Sequence, residues 1–138
     1  MKISRFGHTA VRARDALKTA RFYQEMFDAE EAFRMHREDG SVGTVYLRFP
    51  CGAFLEIFNG GTDEVPLGGS SIAYCHICLE VEDIEAAYAD AREKGLPIDV
   101  PLKTGTSGCL LFFTHDPDGN AIEVMETPPE SLQAKARK

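Results

Sequence analysis

The chain has 138 residues, of which 43% are hydrophobic and 27% charged, and this length and balance are typical of a globular protein with one hydrophobic core. Its formal net charge of −7 argues against a nucleic-acid partner, because phosphate backbones are bound by basic surfaces. No apolar run reaches the length of a membrane span, and the opening "MKISRF" has no signal-peptide apolar region. We therefore expect a cytoplasmic protein without a membrane partner, whose four cysteines are reduced packing residues.

The first part of the chain, about residues 1–60, predicts a strand, a helix and three further strands. The stretch "HTAVRARD" begins a strand at His8 and ends with Asp15, which suits the N-cap of a helix over "ALKTARFYQEMF". Strand-like runs follow at Glu31–His36, Thr44–Phe49 and Phe54–Phe58. This half therefore predicts a βαβββ module.

The second part, about residues 71–127, predicts the same order of elements. "HICLEVED" begins a strand at His76, and Asp83 suits the N-cap of a helix over "IEAAYADAREKG" that Gly95 ends. Further strands are predicted at Pro97–Pro101, Cys109–Thr114 and Ala121–Glu126. A glycine-rich linker at about 59–70 joins the modules into one domain spanning 1–138, and residues 128–138 form a tail whose basic end "KARK" is predicted to be solvated. We expect the linker and the loop "KTGTSG" to border the site and to be mobile.

The two halves are an internal repeat that places ligand-type residues at matching positions. "HTAVRARD" and "HICLEVED" match with an offset of 68, and "GAFLEIF" and "GNAIEVM" match with an offset of 67. The repeat thereby pairs His8 with His76 and Glu56 with Glu123. Glu123 lies in a strand that is apolar on both faces, where a carboxylate needs a compensating partner.

The four matched residues predict a metal site. If the halves pack about a pseudo-twofold axis, His8, Glu56, His76 and Glu123 converge, and two imidazoles with two carboxylates suit a divalent ion. Taken singly, a strand histidine is more often a core or surface residue and a strand glutamate an ion-pair partner, but four matched positions favour metal binding. The ion would then be the charge that compensates the glutamates.

His36 and His115 have no counterpart in the repeat. His36 lies near a turn, and His115 begins the "HDPDG" turn. Both are therefore predicted to be solvent-exposed rather than ligands.

The "DPDGNAIE" run, the paired modules and the four ligand-type residues resemble the vicinal oxygen chelate superfamily, from His8 to about Glu126. That superfamily includes glyoxalase I, fosfomycin- and bleomycin-resistance proteins, methylmalonyl-CoA epimerase and extradiol dioxygenases. The resemblance implies an α+β fold in which two tandem βαβββ modules have curled mixed sheets that enclose a metal cleft. Within the superfamily, the His, Glu, His, Glu set is similar to that of bacterial-type glyoxalase I, the lactoylglutathione lyases. The epimerases usually carry Gln at the position of Glu56.

The resemblance also implies an activity and a cofactor. A lactoylglutathione lyase isomerises the glutathione hemithioacetal of a 2-oxoaldehyde to a 2-hydroxyacyl thioester, a route of methylglyoxal detoxification. It would use one divalent metal ion per site, with Ni or Zn favoured and Co, Mn or Fe possible, and Glu123 as the catalytic base opposite Glu56. Such a protein is expected to be a homodimer with the cleft at or near the interface.

Two further residues are expected to bind the substrate. Arg12 stands where the family has an arginine that contacts glutathione, and Asn59 lies near the family's glutathione-binding asparagine. Glu80 matches Arg12 in the repeat, and a carboxylate there suits an anionic substrate only if it pairs with Arg12. Other metal-dependent reactions of the superfamily, namely epimerisation, isomerisation or extradiol ring cleavage, remain alternatives, as does a non-catalytic resistance protein that binds a small molecule.

Overall fold

A computed structural model describes residues 3–63 and 74–137 of the chain. The chain divides into two compact units, residues 1–69 and 70–138, and each is described by itself. Most of the predicted linker lies outside the described residues. In the described part of the chain, no helix is long and apolar enough to cross a membrane.

The first unit contains one helix and a four-stranded mixed sheet. Its elements are β1 (His8–Ala13), α1 (Ala16–Phe27), β2 (Glu30–His36), β3 (Val42–Arg48) and β4 (Phe54–Asn59). The strands lie in the order β1-β4-β3-β2, with β1 parallel to β4 and the other pairs antiparallel. This is the predicted βαβββ module.

The second unit repeats this topology and adds a short C-terminal helix. Its elements are β5 (Ile77–Glu80), α2 (Ile84–Glu93), β6 (Val100–Thr104), β7 (Leu110–His115), β8 (Ala121–Glu126) and α3 (Leu132–Ala136). The strand order is β5-β8-β7-β6, again with one parallel pair and two antiparallel pairs. The prediction of tandem βαβββ modules is therefore confirmed.

In the first unit, the core lies between α1 and one face of the sheet. Val45 and Leu47 of β3 and Phe49, just after its end, alternate towards the helix and are buried. The ring of Tyr23 in α1 contacts Phe49 at 6.1 Å between centroids. The intervening residues of β3 and their neighbours on β4, including Glu56, point to the opposite face, because successive strand residues alternate. We call this the open face of the unit.

Equivalent polar contacts begin the main helix of each unit. Asp15 accepts hydrogen bonds from the amides of Leu17 and Lys18, as Asp83 does from Ala86, so both predicted N-caps are confirmed. These caps fix where the chain leaves β1 and β5, the strands at whose starts the two matched histidines lie.

A second side chain holds each helix start from β4 or β8. Asn59 Oδ1 accepts from the Ala16 amide at 2.9 Å, and Glu126 Oε2 accepts from the Ile84 amide at 3.0 Å. Asn59 and Glu126 are 67 positions apart, so the repeat conserves the contact while changing the residue type.

One strand prediction in the second unit is wrong. The strand predicted at Pro97–Pro101 is Val100–Thr104, because its ladder with β7 begins only at Val100. Lys135 and Arg137 of the basic end are exposed, as predicted, but the tail also forms α3 with Ser131 as N-cap, and the Leu132 amide donates to the Ser107 carbonyl at 2.8 Å. The predicted mobile loop "KTGTSG" is thus bonded to the C-terminal segment.

Candidate metal-binding pairs

The first pair lies on the open face of the first unit. His8 begins β1. Glu56, on the adjacent parallel strand β4, is in register with Ala10, which lies two residues after His8 and therefore on the same face of the sheet. His8 Nε2 lies 3.2 Å from Glu56 Oε2. The histidine side chain is 44% exposed and the glutamate side chain only 10%, so the carboxylate is nearly buried and the imidazole remains accessible.

The second unit builds the same pair from the matching residues. His76 immediately precedes β5. Glu123, in β8, is in register with Cys78 of the adjacent parallel strand β5. His76 Nε2 lies 3.1 Å from Glu123 Oε2, with the side chains 36% and 13% exposed. The repeat singled out these four residues as one converging set, and the structure brings them together as one histidine–glutamate pair in each unit.

Each pair has the donor types and spacing of two neighbouring metal ligands. For ligands about 2.1 Å from an ion, adjacent donors of a tetrahedral or octahedral site are roughly 3.0–3.4 Å apart. The observed distances of 3.2 and 3.1 Å fall in this range, although a direct histidine–carboxylate hydrogen bond has a similar length. The residues present thus fit a divalent cation.

The structure provides these donors as one pair in each unit. Among residues 3–63 and 74–137, no group of three or more histidine, cysteine, aspartate or glutamate side chains forms a metal centre. The convergence of all four ligands on one ion therefore stays a prediction.

An aromatic ring lies against the histidine of each pair, and both were missed from the sequence. Tyr46 contacts His8 edge-on with centroids 5.7 Å apart, and Phe113 contacts His76 in the same way at 5.3 Å. Tyr46 and Phe113 are 67 positions apart, the offset that relates the glutamates. The repeat therefore carried a signal for them.

The glutamates differ in their second neighbour. Tyr46 is in register with Glu56, and burial, followed by its interaction with that carboxylate, raises the pKa of Tyr46. Phe113 is in register with Glu123 but has no hydroxyl, and the thiol of Cys78 is the neighbour of Glu123 instead. Partial desolvation of its sulfur, followed by the negative charge of Glu123, raises the pKa of the otherwise exposed Cys78 to about 12, so this thiol stays protonated at neutral pH.

The four cysteines, all within the described residues, form no disulfide. Cys109 is buried against Leu111 and Met125, as the packing prediction requires, but Cys51, Cys75 and Cys78 are exposed. The prediction that all four are packing residues is therefore right only for Cys109.

Arg12 and Asn59, the predicted substrate-binding residues, have different surroundings. Arg12 is exposed on the face that carries His8, with its guanidinium 5.2 Å from the centre of the Phe58 ring. Both polar atoms of the Asn59 amide already have backbone partners, because Nδ2 also donates to the Val42 carbonyl at 3.0 Å. Asn59 thus has a structural role, and its predicted contact with substrate would have to share these atoms.

Glu80 pairs with an arginine of its own unit. Arg137, at the end of α3, donates to both of its carboxylate oxygens at 2.9 and 2.5 Å. This two-pronged contact holds the pKa of Glu80 below its usual value. The negative charge of Glu80, the residue that matches Arg12 in the repeat, is therefore neutralised by Arg137 of the same unit.

The two unmatched histidines also differ from each other. His36 is exposed at the end of β2, as predicted. His115 is not simply solvated, because its Nδ1 lies 2.8 Å from Asp99 Oδ2 on the approach to β6. The neighbouring Asp116 is buried and accepts from the amides of Asp118 and Asn120, which shapes the turn into β8.

Comparison with known proteins places the chain in a family. The model of the glyoxalase/bleomycin resistance protein/dioxygenase superfamily matches residues 5–124, which include both histidine–glutamate pairs. The chain belongs to this superfamily.

Relatives within the superfamily carry different activities in their names. The chain is 30% identical over 127 residues to a probable lactoylglutathione lyase of Synechocystis sp., covering 87% of this chain and 93% of that one. It is 24% identical to the mitochondrial methylmalonyl-CoA epimerase of Homo sapiens, covering 88% and 72%. The crystal structure of a glyoxalase family protein from Enterococcus faecalis matches with a TM-score of 0.75 at 28% identity, over 91% of this chain and all of that one. The superfamily is therefore established, while its members differ in reaction.

Proposed function

We propose that this protein is a metal-dependent lyase of the glyoxalase I type, which isomerises a glutathione–2-oxoaldehyde hemithioacetal to a 2-hydroxyacyl thioester. The observation that carries the proposal is the pair of repeat-matched histidine–glutamate contacts, each with the spacing of neighbouring metal ligands. The lactoylglutathione lyase name of the Synechocystis relative supports the same reaction.

The proposed cofactor is one divalent ion, with Ni or Zn favoured, held by His8, Glu56, His76 and Glu123. The two pairs would share the ion, either within one chain or across two copies. When bound, the ion stabilises the negative charge that develops on the substrate oxygens as a proton leaves the neighbouring carbon.

Glu123 is proposed to move the proton. Its carboxylate accepts the proton from C1 of the hemithioacetal and returns it to C2, while the proton of the C1 hydroxyl passes to the C2 oxygen. C1 thereby becomes the thioester carbonyl carbon, and C2 becomes the hydroxyl-bearing carbon. Tyr46 lies opposite Glu56 in the β3–β4 ladder, whereas Phe113, which has no hydroxyl, lies opposite Glu123 in the β7–β8 ladder. This difference supports Glu123 as the mobile proton acceptor and Glu56 as the fixed ligand opposite it.

Arg12 is proposed to bind an anionic carboxylate of the thiol conjugate. Its guanidinium is exposed on the face that carries His8, and among the described residues no carboxylate pairs with it. A guanidinium binds a carboxylate through two parallel hydrogen bonds, which suits the glutamyl end of glutathione.

Epimerisation of an acyl-CoA is the second candidate. The human epimerase relative supports it, and both reactions remove and return a proton next to a carbonyl group. The two candidates differ in substrate rather than in the type of proton transfer.

The test is a pair of assays on protein loaded separately with Ni and with Zn. We expect thioester formation from methylglyoxal and glutathione that disappears on chelation and returns with metal. Methylmalonyl-CoA should not be epimerised. Metal-loaded protein that forms no thioester but epimerises the acyl-CoA would replace the first candidate with the second.

A further inference from the structure

The sheet of the second unit has one face that carries Glu123 and points away from α2. Leu111 and Met125 lie on this face, because the alternate residues of β7 and β8, such as Phe112, face α2. Together with Cys109, just before β7, they form the buried cluster, in which Cys109, Leu111 and Met125 are 0%, 8% and 5% exposed. Since α2 packs on the other face of the sheet, another segment must cover this cluster.

One end of the C-terminal segment lies against the loop that leads into β7. Ser131, the N-cap of α3, is only 1% exposed, and a Cβ on Gly108 would lie 3.4 Å from its Cα. The Leu132 amide donates to the Ser107 carbonyl at 2.8 Å. These contacts place the start of α3 next to the chain at Gly108, immediately before Cys109.

The other end of the segment lies over β5. Arg137 donates to both carboxylate oxygens of Glu80, which is directly opposite Met125 in the β5–β8 ladder. Side chains opposite each other in a ladder point to the same face, so Glu80 and Met125 are neighbours on the face that carries Glu123. Because β8 lies between β5 and β7, a segment that runs from the contact at Ser107 to the contact at Glu80 crosses the buried cluster.

The C-terminal segment is held by few contacts. All five residues of α3 are at least partly exposed, and Leu132, although apolar, is 65% exposed. The side chains of Arg137 and Glu80 are 51% and 39% exposed, and ion pairs this accessible to water contribute little stability. A helix of five residues is not stable without tertiary contacts. The segment is therefore suited to opening locally while the sheet stays folded.

We propose that residues 131–137 are a releasable strap, which the Arg137–Glu80 pair closes over the buried cluster. When the strap lifts, Met125 becomes accessible two positions along β8 from Glu123. Opening of the strap therefore sets how much apolar surface lies beside the candidate metal-binding pair of this unit. The strap requires neither a bound metal nor the proposed reaction.

Cys109 provides the test, because its thiol is reachable only when the cluster is uncovered. Iodoacetamide labels the thiols of the native protein, and mass spectrometry follows Cys109 in a tryptic peptide that begins at residue 104 and contains no other cysteine. The labelling rate is compared in the parent protein, Arg137→Gln and Glu80→Gln, over urea concentrations below the unfolding transition. Lys135→Gln is the control, since it removes the same charge as Arg137→Gln from an exposed position of α3.

We expect Cys109 to be labelled about five-fold faster in Arg137→Gln and in Glu80→Gln than in the parent protein, and at the parent rate in Lys135→Gln. The rate should depend only weakly on urea, because lifting the strap exposes far less surface than unfolding does. Unchanged rates in both variants of the pair would overturn the inference, as would a parent rate that rises with urea as steeply as global unfolding.

Discussion

Glu56 and Glu123 are acidic residues in places that strongly disfavour an uncompensated charge. Their side chains are 10% and 13% exposed, and each lies in a strand whose flanking residues are apolar. A carboxylate removed from water costs several kcal/mol unless a partner restores what it loses. Each carboxylate has an imidazole nitrogen about 3 Å away. A cation bound by both groups would supply the positive charge that compensates the carboxylate.

At this scale, the difference between the glutamates can be tested by replacing each with glutamine. Glu123→Gln keeps the shape and a coordinating oxygen but cannot accept a proton, so we expect turnover to fall about 10²–10⁴-fold while metal remains bound. Glu56→Gln should be less damaging. The measurement is the steady-state rate of thioester formation beside the metal content of each variant. A Glu123→Gln protein with bound metal and near-normal turnover would rule out the assigned role.

At the scale of elements, Asn59 joins the end of β4 to the start of α1 and to β3. One amide atom accepts from Ala16 and the other donates to Val42, both in a partly buried setting. The sequence resemblance predicted that Asn59 contacts substrate. A sequence match does not distinguish an amide side chain that binds a ligand from one that holds the start of a helix. Glu126, which makes the matching contact to Ile84, supports the structural interpretation.

Asn59→Ala should therefore lower the free energy of unfolding by about 1–3 kcal/mol, since two backbone groups lose their partners. Asn59→Asp keeps the acceptor for Ala16 and loses the donor to Val42, so an intermediate loss is expected. Urea unfolding measures both. Unchanged stability of Asn59→Ala together with a raised KM for the glutathione conjugate would instead support the substrate role.

The C-terminal helix α3 depends on a contact that no local pattern could reveal. Arg137 and Glu80 are 57 positions apart, and the tail sequence is polar enough to suggest a frayed end. Their pairing, with Ser131 buried at the N-cap and Leu132 bonded to Ser107, fixes the helix to the second unit.

Stability should report this pairing through its pH dependence. Arg137 lowers the folded pKa of Glu80, so the pair's contribution is fully present above the unfolded value of about 4.3 and is lost as the pH falls through the folded value. Arg137→Gln should therefore destabilise the protein at pH 7 and have little effect near pH 3. Lys135→Gln, the same charge change within α3, is the control for thermal unfolding at both pH values. An Arg137→Gln effect of equal size at both would contradict the assignment.

At the scale of the whole molecule, the repeat explains both what the sequence could predict and what it could not. Apolar alternation, aspartate caps and a fixed offset were enough for two βαβββ modules and for singling out His8, Glu56, His76 and Glu123 as matched residues, but not for the pairwise contacts that they make within each unit. They were not enough for β6, whose single proline and polar residues obscure the alternation. The Tyr46 contact was missed because aromatic residues in strands usually signal packing.

The predicted homodimer belongs to this scale too, because the outer strands of each sheet leave edges that need protection. Sedimentation equilibrium at micromolar concentration should give twice the chain mass of 15.2 kDa. A mass equal to that of one chain would count against the dimer and leave the two pairs to meet within a chain.

The central claim is that the two histidine–glutamate pairs hold one divalent ion, and metal analysis of purified protein tests it most directly. We predict one equivalent of Ni or Zn per chain after loading and desalting, sharply reduced in His76→Ala and retained in His36→Ala, whose histidine is exposed at the end of β2. Equal metal content in the two variants, or no stoichiometric metal in the parent protein, would contradict the account.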